Sequence, residues 1–543
     1  MAPTFAELEG GLVKLLQTAE WDDSEVALLY SMPSIQISWM MDSEKDGRSW
    51  NQRSNSYEPD HISHAYDHVG WNKLLEDNGV KGRWMSSLEL TNGTLDSRGV
   101  KVLILPRALA LSQAERDAIE AWVAAGGTLV ADSLTGIYDE RLRRRSIQAG
   151  GGLWDSFLGV KRADFSFVEM NGVAGSAFNE SAQPATGAPP ARFKRLLHGV
   201  GAAGLRAVEP GLRAADATPL LHFGGREDRP ALLVKEHGSG AVVYLGLGVT
   251  KYGFASPAED DGLKMRSRKR ARESAEQPPD ARLASARRLA DPTGADERQT
   301  PASESATNLR RLILNLLELG GVTPRMRVTQ GQGETDVYNY EKAAHRLPGG
   351  GLVFGCVVNS FQDNAADDWG ARNDTAAVCF GQPGADRASA TLHLAAKAHL
   401  YDSRAGRYLG EGTDFAVALP VYEGAVFTAL QYQVTGIRVQ VQDTDPLHKV
   451  TVSVEVLCQS GTASDTHVLV LSAAAADGTA IPLLTRKVVA AEGRWQGVVP
   501  FGANQALAGC TISARDVATG SNSTVRVPLH TDDDTRVMSG EAR

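Results

Sequence analysis

The sequence predicts an open, doubly wound α/β sheet followed by two all-β sandwich domains, and three observations carry that reading. Between Val26 and Ala131, short continuously apolar runs alternate with helical patterns, as parallel strands covered on both faces require. From Met326 onward helical periodicity disappears and short apolar runs recur between turn residues. From about Ser256 to Thr307 the chain contains no aromatic residue, which separates the two regions.

The clearest unit is Gly99 to Ser133. Val102-Leu103-Ile104-Leu105 reads as a buried strand stopped by Pro106. Ser112 and Glu115 have the Ser-x-x-Glu spacing that satisfies free amides at a helix start. Ala118, Ile119, Trp122 and Val123 form one apolar helical face, Gly126-Gly127 turn the chain, and Thr128 to Ala131 returns as a parallel strand. Upstream, an amphipathic helix over 5–20 places Phe5, Leu8, Leu12, Leu15 and Leu16 on one side, before the first strand, Val26 to Tyr30. Asp60 caps a helix running to Asn78, and Arg83 to Leu88 forms the second strand. This alternation is flavodoxin-like.

Further on, a helix is expected at Leu153 to Leu158 and strands at Phe165 to Glu169, Pro219 to Phe223, Ala231 to Lys235 and Val242 to Leu245. The segment 256–307, with the basic run Lys264 to Arg272, cannot bury enough apolar surface to order itself and reads as a disordered insertion. That basic run reads as a solvated linker because acidic residues flank it; a nuclear or nucleic-acid tag is the other reading. Leu309, Leu312, Ile313, Leu316 and Leu317 form a helix capped by Thr307 that returns to the α/β domain. Runs such as Leu352 to Val358, Ala376 to Phe380, Val426 to Leu430, Val450 to Val456 and His467 to Leu471 build the sandwiches, split near Asp443 to Pro446. The expected domains are 25–255, 326–442 and an immunoglobulin-like 443–530, with a helix at 308–325 and disordered residues at 531–543.

A formal net charge of -9 argues against a general nucleic-acid binder. No apolar run has the length of a membrane-spanning helix, and MAPTFAELEGG lacks a secretory pattern, so a cytoplasmic location is the default. No motif points to a cofactor. Cys356, Cys379, Cys458 and Cys510 match no zinc spacing and read as buried thiols; pairing Cys356 with Cys379 and Cys458 with Cys510 is the alternative in an oxidising compartment.

Candidate chemistry is sparse. A nucleophile on this fold would sit just after Ala131, yet Asp132-Ser133-Leu134-Thr135-Gly136 offers no cysteine and lacks the flanking glycines of an elbow serine. His61, His64 and His68 share one face of the second helix and can begin a metal site, with Asp60 or Asp67 adding an oxygen. The first and last lie two turns apart, too far for one ion, and a polar face at a subunit contact is the competing reading. Asp139-Glu140 and Asp22-Asp23 read as solvated loop residues. Trp39, Trp50, Trp71 and Trp84 can stack on a sugar, although Trp71 and Trp84 sit on patterned elements that favour core packing.

VALLYSMPSIQISWMMD, WNKLLEDNGV, GVKVLILPRALALSQAERDAIEAWVAAGGTLVADSLTGIYDE and ALLVKEHGSGAVVYLGLGVTKY resemble the trimerisation domain of family 42 β-galactosidases. LYDSRAGRYLG and ARDVATG resemble the β-rich tails of large bacterial proteins that carry it. The resemblance implies a class I amidotransferase-like but catalytically empty domain, with residues 1–24 a remnant of the last helix of a preceding catalytic barrel. It implies no catalytic residue in this chain. The leading expectation is a non-catalytic assembly and accessory portion of a glycoside hydrolase that self-associates as a homotrimer, with a separate barrel chain as a further partner. A carbohydrate-binding protein using the sandwiches on galactosides or polysaccharide, and an active hydrolase with an unrecognised site, are the alternatives.

Overall fold

The computed structural model describes residues 8–23, 25–44, 63–143, 153–162, 182–201, 209, 211–223, 226, 228–246, 249, 304–331, 337, 340–358, 387–420, 424–444, 449–502 and 507–528. The basic run at 264–272, the strands expected at 165–169 and 376–380, and Phe5, Trp50, Asp60, His61 and Cys379 lie outside them.

An eight-stranded mixed sheet forms the first unit. Its strands are β1 (Val26–Tyr30), β2 (Arg83–Ser86), β3 (Val102–Leu105), β4 (Thr128–Ala131), β5 (Ala182–Pro184), β6 (Thr218–Phe223), β7 (Pro230–His237) and β8 (Gly240–Leu245). They lie in the order β2-β1-β3-β4-β8-β7-β6-β5; β2 to β8 are parallel neighbours, and β7, β6 and β5 follow antiparallel. Strand alternation divides the core between the two faces. Val26, Leu28, Val102 and Ile104 point to one, where Trp71, Leu74 and Leu75 of the helix Ser63–Asp77 pack beside Leu309, Leu312, Ile313, Leu316 and Leu317. Ala27, Leu29, Leu103 and Leu105 point to the other, covered by Ile119, Trp122 and Val123 of the helix Gln113–Ala124 and by Trp154 and Phe157 of Leu153–Leu158. The Ser112–Glu115 capping box is present, with both reciprocal bonds.

Some boundaries differ from expectation. β2 stops at Ser86 because Ser86 and Glu89 form their own capping box, which starts the helix Ser87–Thr91. The helix that returns to the sheet spans Glu304–Leu319, and Thr307 is inside it, its hydroxyl accepting from Arg310 rather than capping.

Beyond it, the strands Met326–Gln330, Tyr340–Arg346, Leu352–Val358, Arg387–Asp402, Arg407–Pro420 and Ala425–Leu430 share a single sheet. Val328 of the strand Met326–Gln330 shares one core with Phe354, Leu392, Leu400 and Phe427, so the sheet curls around these side chains, and the Val337 N–H donates to Val328 O. The last unit is a two-sheet sandwich. Val434–Thr444, Lys449–Cys458 and Arg494–Pro500 pair in one sheet, and Arg486–Ala490, His467–Ala474, Thr511–Asp516 and Asn522–Arg526 in the other. The split expected at 443–446 therefore falls at a hairpin: Thr444 pairs with Val450, and the change of unit comes at 431–433.

The N-terminal segment binds the units together. Leu12 and Leu15 enter the sandwich core, Gly11 lies against Val517 with φ 115°, and Arg515 donates to Gly10 O at 2.7 Å. Glu20–Trp21 then pairs with His345 and Arg346 at the edge of the curled sheet. Asp22, expected in solvent, is nearly buried between Arg325 (2.7 Å) and Arg346 (2.6 Å). Burial raises its carboxyl, but the two guanidinium groups outweigh that and hold it below the ordinary range. Cys356, Cys458 and Cys510 are buried free thiols, so Cys458 and Cys510 do not form the alternative disulfide.

Candidate functional site

The parallel strands all end on one side, and the crossover direction reverses between β1 and β3. Open α/β sheets hold ligands at that point. Here the chain fills it. Ser31 Oγ and Ser34 Oγ lie 3.1 and 3.0 Å from Ala110 O, and Ala110 N–H donates to Ser34 Oγ at 3.0 Å. One turn further on the same helix, Ser38 Oγ accepts from Arg107 Nε at 2.9 Å. Arg107 follows Pro106 at the end of β3 with φ 41°, a left-handed backbone that a non-glycine residue adopts only under local constraint.

Arg107 also donates to Asp67 Oδ2 at 3.2 Å, and beside Asp67 stands Asp132, in the position after β4. Asp132 accepts from Trp71 Nε1 at 2.9 Å and from the Ser133 N–H at 2.7 Å. Burial, then the neighbouring Asp67 charge, push its carboxyl up to about 7 against those hydrogen bonds and Arg107. A carboxyl near neutrality is what proton transfer uses. Asp132 and Asp67 are 3% and 2% exposed, however, so both act inside the fold.

A second polar cluster lies under the next residues. Leu134, at φ 64°, donates its N–H to Glu209 Oε2 (3.1 Å) and to Tyr244 Oη (3.0 Å). Tyr244 donates to Glu209, and buried Arg162 pairs with Asp155 at 2.7 Å. Burial raises the Glu209 carboxyl above its ordinary value, with Arg162 opposing.

Of the histidine face, His64 and His68 pack as rings against neighbouring aromatics. His64 and His68 have centroids 6.2 Å apart with perpendicular rings, and His68 sits 4.7 Å from Trp84 and 5.8 Å from Tyr30. Burial, then the charges of His64 and Arg107, pull His68 down to about 4. Among the described residues no three His, Cys, Asp or Glu side chains are grouped to hold a metal. Trp71 is buried, as its patterned position implies, whereas Trp84 is only partly so. Exposed apolar side chains border this packing: Tyr30 (43% exposed), Met32 (52%) and Leu88 (69%) at the ends of β1 and β2, and Met40 (42%) further along the helix Met32–Glu44. Asp132 was visible in the sequence as the residue after a buried strand; Asp67 and Arg107 come from other elements, and no spacing joins them to it.

Fold and site together define a mixed α/β domain joined to β-rich units. Residues 24–258 match the family described as the β-galactosidase trimerisation domain. Among solved structures, the chain is similar to a β-galactosidase from Bacillus circulans sp. alkalophilus, at 14% identity over 76% of this chain and 42% of that one (TM-score 0.44). It is also similar to a cold-adapted β-galactosidase from Rahnella sp. R3, at 13% identity over 76% and 41% (TM-score 0.41). A β-galactosidase from the Antarctic haloarchaeon Halorubrum lacusprofundi is 13% identical over 75% and 40% (TM-score 0.35). The chain thus spans about two-fifths of the length of these proteins.

Proposed function

We propose that this chain is the assembly and accessory portion of a β-galactosidase-like glycoside hydrolase, its flavodoxin-like α/β domain joining copies into a homotrimer. The observation that supports this best is the exposed apolar rim on the domain that matches a trimerisation family. Tyr30 pairs with Ser86 across β1 and β2, so Tyr30, Met32 and Leu88 lie at neighbouring strand ends. Large side chains gathered this way mark an association surface. A three-fold ring needs two different patches per copy, with the rim as one of them. The filled crevice and the inward-facing Asp132 favour a domain without catalytic groups of its own, the hydrolytic carboxylates coming from a separate barrel.

Light scattering on the whole chain tests this. The expected mass is three times 58.0 kDa, and Leu88→Glu with Met32→Glu should reduce it to one. A strict monomer at micromolar concentration removes the assembly role, and turnover of a chromogenic galactoside by the purified chain removes the non-catalytic one.

A further inference from the structure

The hairpin formed by Arg387–Asp402 and Arg407–Pro420 lies along the curled sheet, and its alternate residues Ala388, Ala390, Leu392, Ala398 and Leu400 enter the core. The opposite face is mostly polar, exposed at Ser389, Lys397 and Glu411 and only partly so at His399, and it ends at the buried Tyr401. A register shift between Leu400 and Tyr401, with Gly410 at φ 124°, sets Tyr408 directly across from Tyr401. Such bulges re-aim the side chain beside them. The Tyr408 ring lies 5.1 Å from Tyr401 and 6.0 Å from His399, and its hydroxyl is 2.8 Å from His399 Nδ1. Tyr401 is itself anchored, its hydroxyl accepting from the Val434 N–H at 2.8 Å. Tyr408 is thus a ring on a fixed backing that stays 37% exposed. Beside it Lys397 Nζ and Glu411 Oε1 pair at 2.8 Å in the open. The turn closing the hairpin presses on the sandwich, where Ser403 Oγ donates to Ala518 O at 2.9 Å and Gly406 touches Gly520. The strip therefore runs into a corner between two units.

The geometry points to a binding strip for a neutral oligosaccharide on this face, with Tyr408 stacking against the sugar's C–H face and Lys397, Glu411 and His399 bonding its hydroxyls. A hydroxyl both donates and accepts, and an ammonium, a carboxylate and an imidazole side by side answer both needs. Lys397 is paired with Glu411, so it offers a polyanion no uncompensated charge. One exposed ring offers too little apolar surface for an amphipathic helix. The competing explanation is that these cross-strand pairs only stabilise the hairpin and protect its edge.

The inference extends the accessory role proposed above and is separable from assembly. The whole chain is run in native gels containing soluble β-galactan, mixed-linkage β-glucan or galactomannan, with polygalacturonate as the acidic control. At least one neutral polysaccharide should retard it. Tyr408→Ala should weaken that binding about tenfold, the value of one aromatic stacking contact, and Tyr408→Trp should preserve it. Where Tyr408→Ala disturbs folding by circular dichroism, the double variant Lys397→Ala/Glu411→Ala carries the test, with an expected loss of a few fold. No retardation by any neutral polysaccharide, or retardation indifferent to these variants, overturns the strip. Light scattering on the same variants should show an unchanged mass, so that failure here leaves the assembly reading standing.

Discussion

Replacing Asp132 with asparagine should change how the α/β domain's stability depends on pH. The carboxyl titrates near 7 in the fold against 3.8 as an ordinary aspartate. A folded-state value raised in this way means the native protein holds the proton more tightly. The group's contribution is therefore greatest below 3.8 and is lost as pH rises toward 7. From about pH 5 to pH 8 that loss amounts to roughly 3 kcal/mol, two pH units at about 1.4 kcal/mol each, and it belongs to the Asp132–Asp67 pair jointly. Asparagine cannot ionise, so the variant escapes the loss. It does lose one of two acceptor oxygens, leaving either Trp71 Nε1 or the Ser133 N–H unanswered at a cost of about 1–2 kcal/mol. Asp132→Asn should thus be the weaker protein below about pH 4, level with the parent near pH 5 and the stronger near pH 8. Hydrogen exchange of the Thr128–Ala131 amides across that range reads the domain directly. Parallel pH profiles for parent and variant would refute the raised carboxyl and the burial argument behind it.

Three further outcomes are expected. Asp516→Ala should destabilise the sandwich by about 1–3 kcal/mol, because it leaves the buried His467 Nδ1 and the Thr519 hydroxyl without their acceptor; exchange should rise in His467–Ala474 and Thr511–Asp516. Burial lowers His467 but Asp516 more than offsets it, so this stabilisation is complete below 6.5 and fades as pH rises through the raised value. Burial also opposes the ionised Asp516, but His467 outweighs it, so its share is present above 3.8 and fades as pH falls through the lowered value. Gly520→Ala should lower the melting temperature clearly, since its Cβ would meet Gly406 Cα at 2.4 Å with φ 77°. Gly436→Ala, with nothing within 4 Å, should shift it little. Burial pushes the Cys356 thiol up to about 12, so it should resist thiol reagents near pH 8 until the protein is unfolded.

The parts of the fold that were legible are those decided over a few residues. Val102–Leu105, the Ser112–Glu115 box and Gly126-Gly127 each settle their own conformation, and the structure has them where the pattern puts them. Ser86–Glu89 has the same spacing but follows directly on Trp84 and Met85, so the strand's apolar residues run into the helix start without a break. The split expected at Asp443 to Pro446 falls between two paired strands, Thr444 facing Val450, because Asp and Pro mark linkers and turns alike. Asp22 looked solvated because its two arginines lie over 300 residues away in sequence.

By itself the sequence determined the alternation of strand and helix up to residue 131, the change to all-β structure after 326, and the absence of a cysteine or glycine-flanked serine after Ala131, because each depends on local pattern or residue type. Only tertiary structure decided that the switch-point crevice is filled by Ala110 and the Ser31–Ser34 pair, that Asp132 meets Asp67 and Arg107, and that the N-terminal helix belongs to the sandwich core. The reason is distance along the chain. Burial and electrostatic coupling arise between side chains brought together by folding, and no local spacing records which ones will meet.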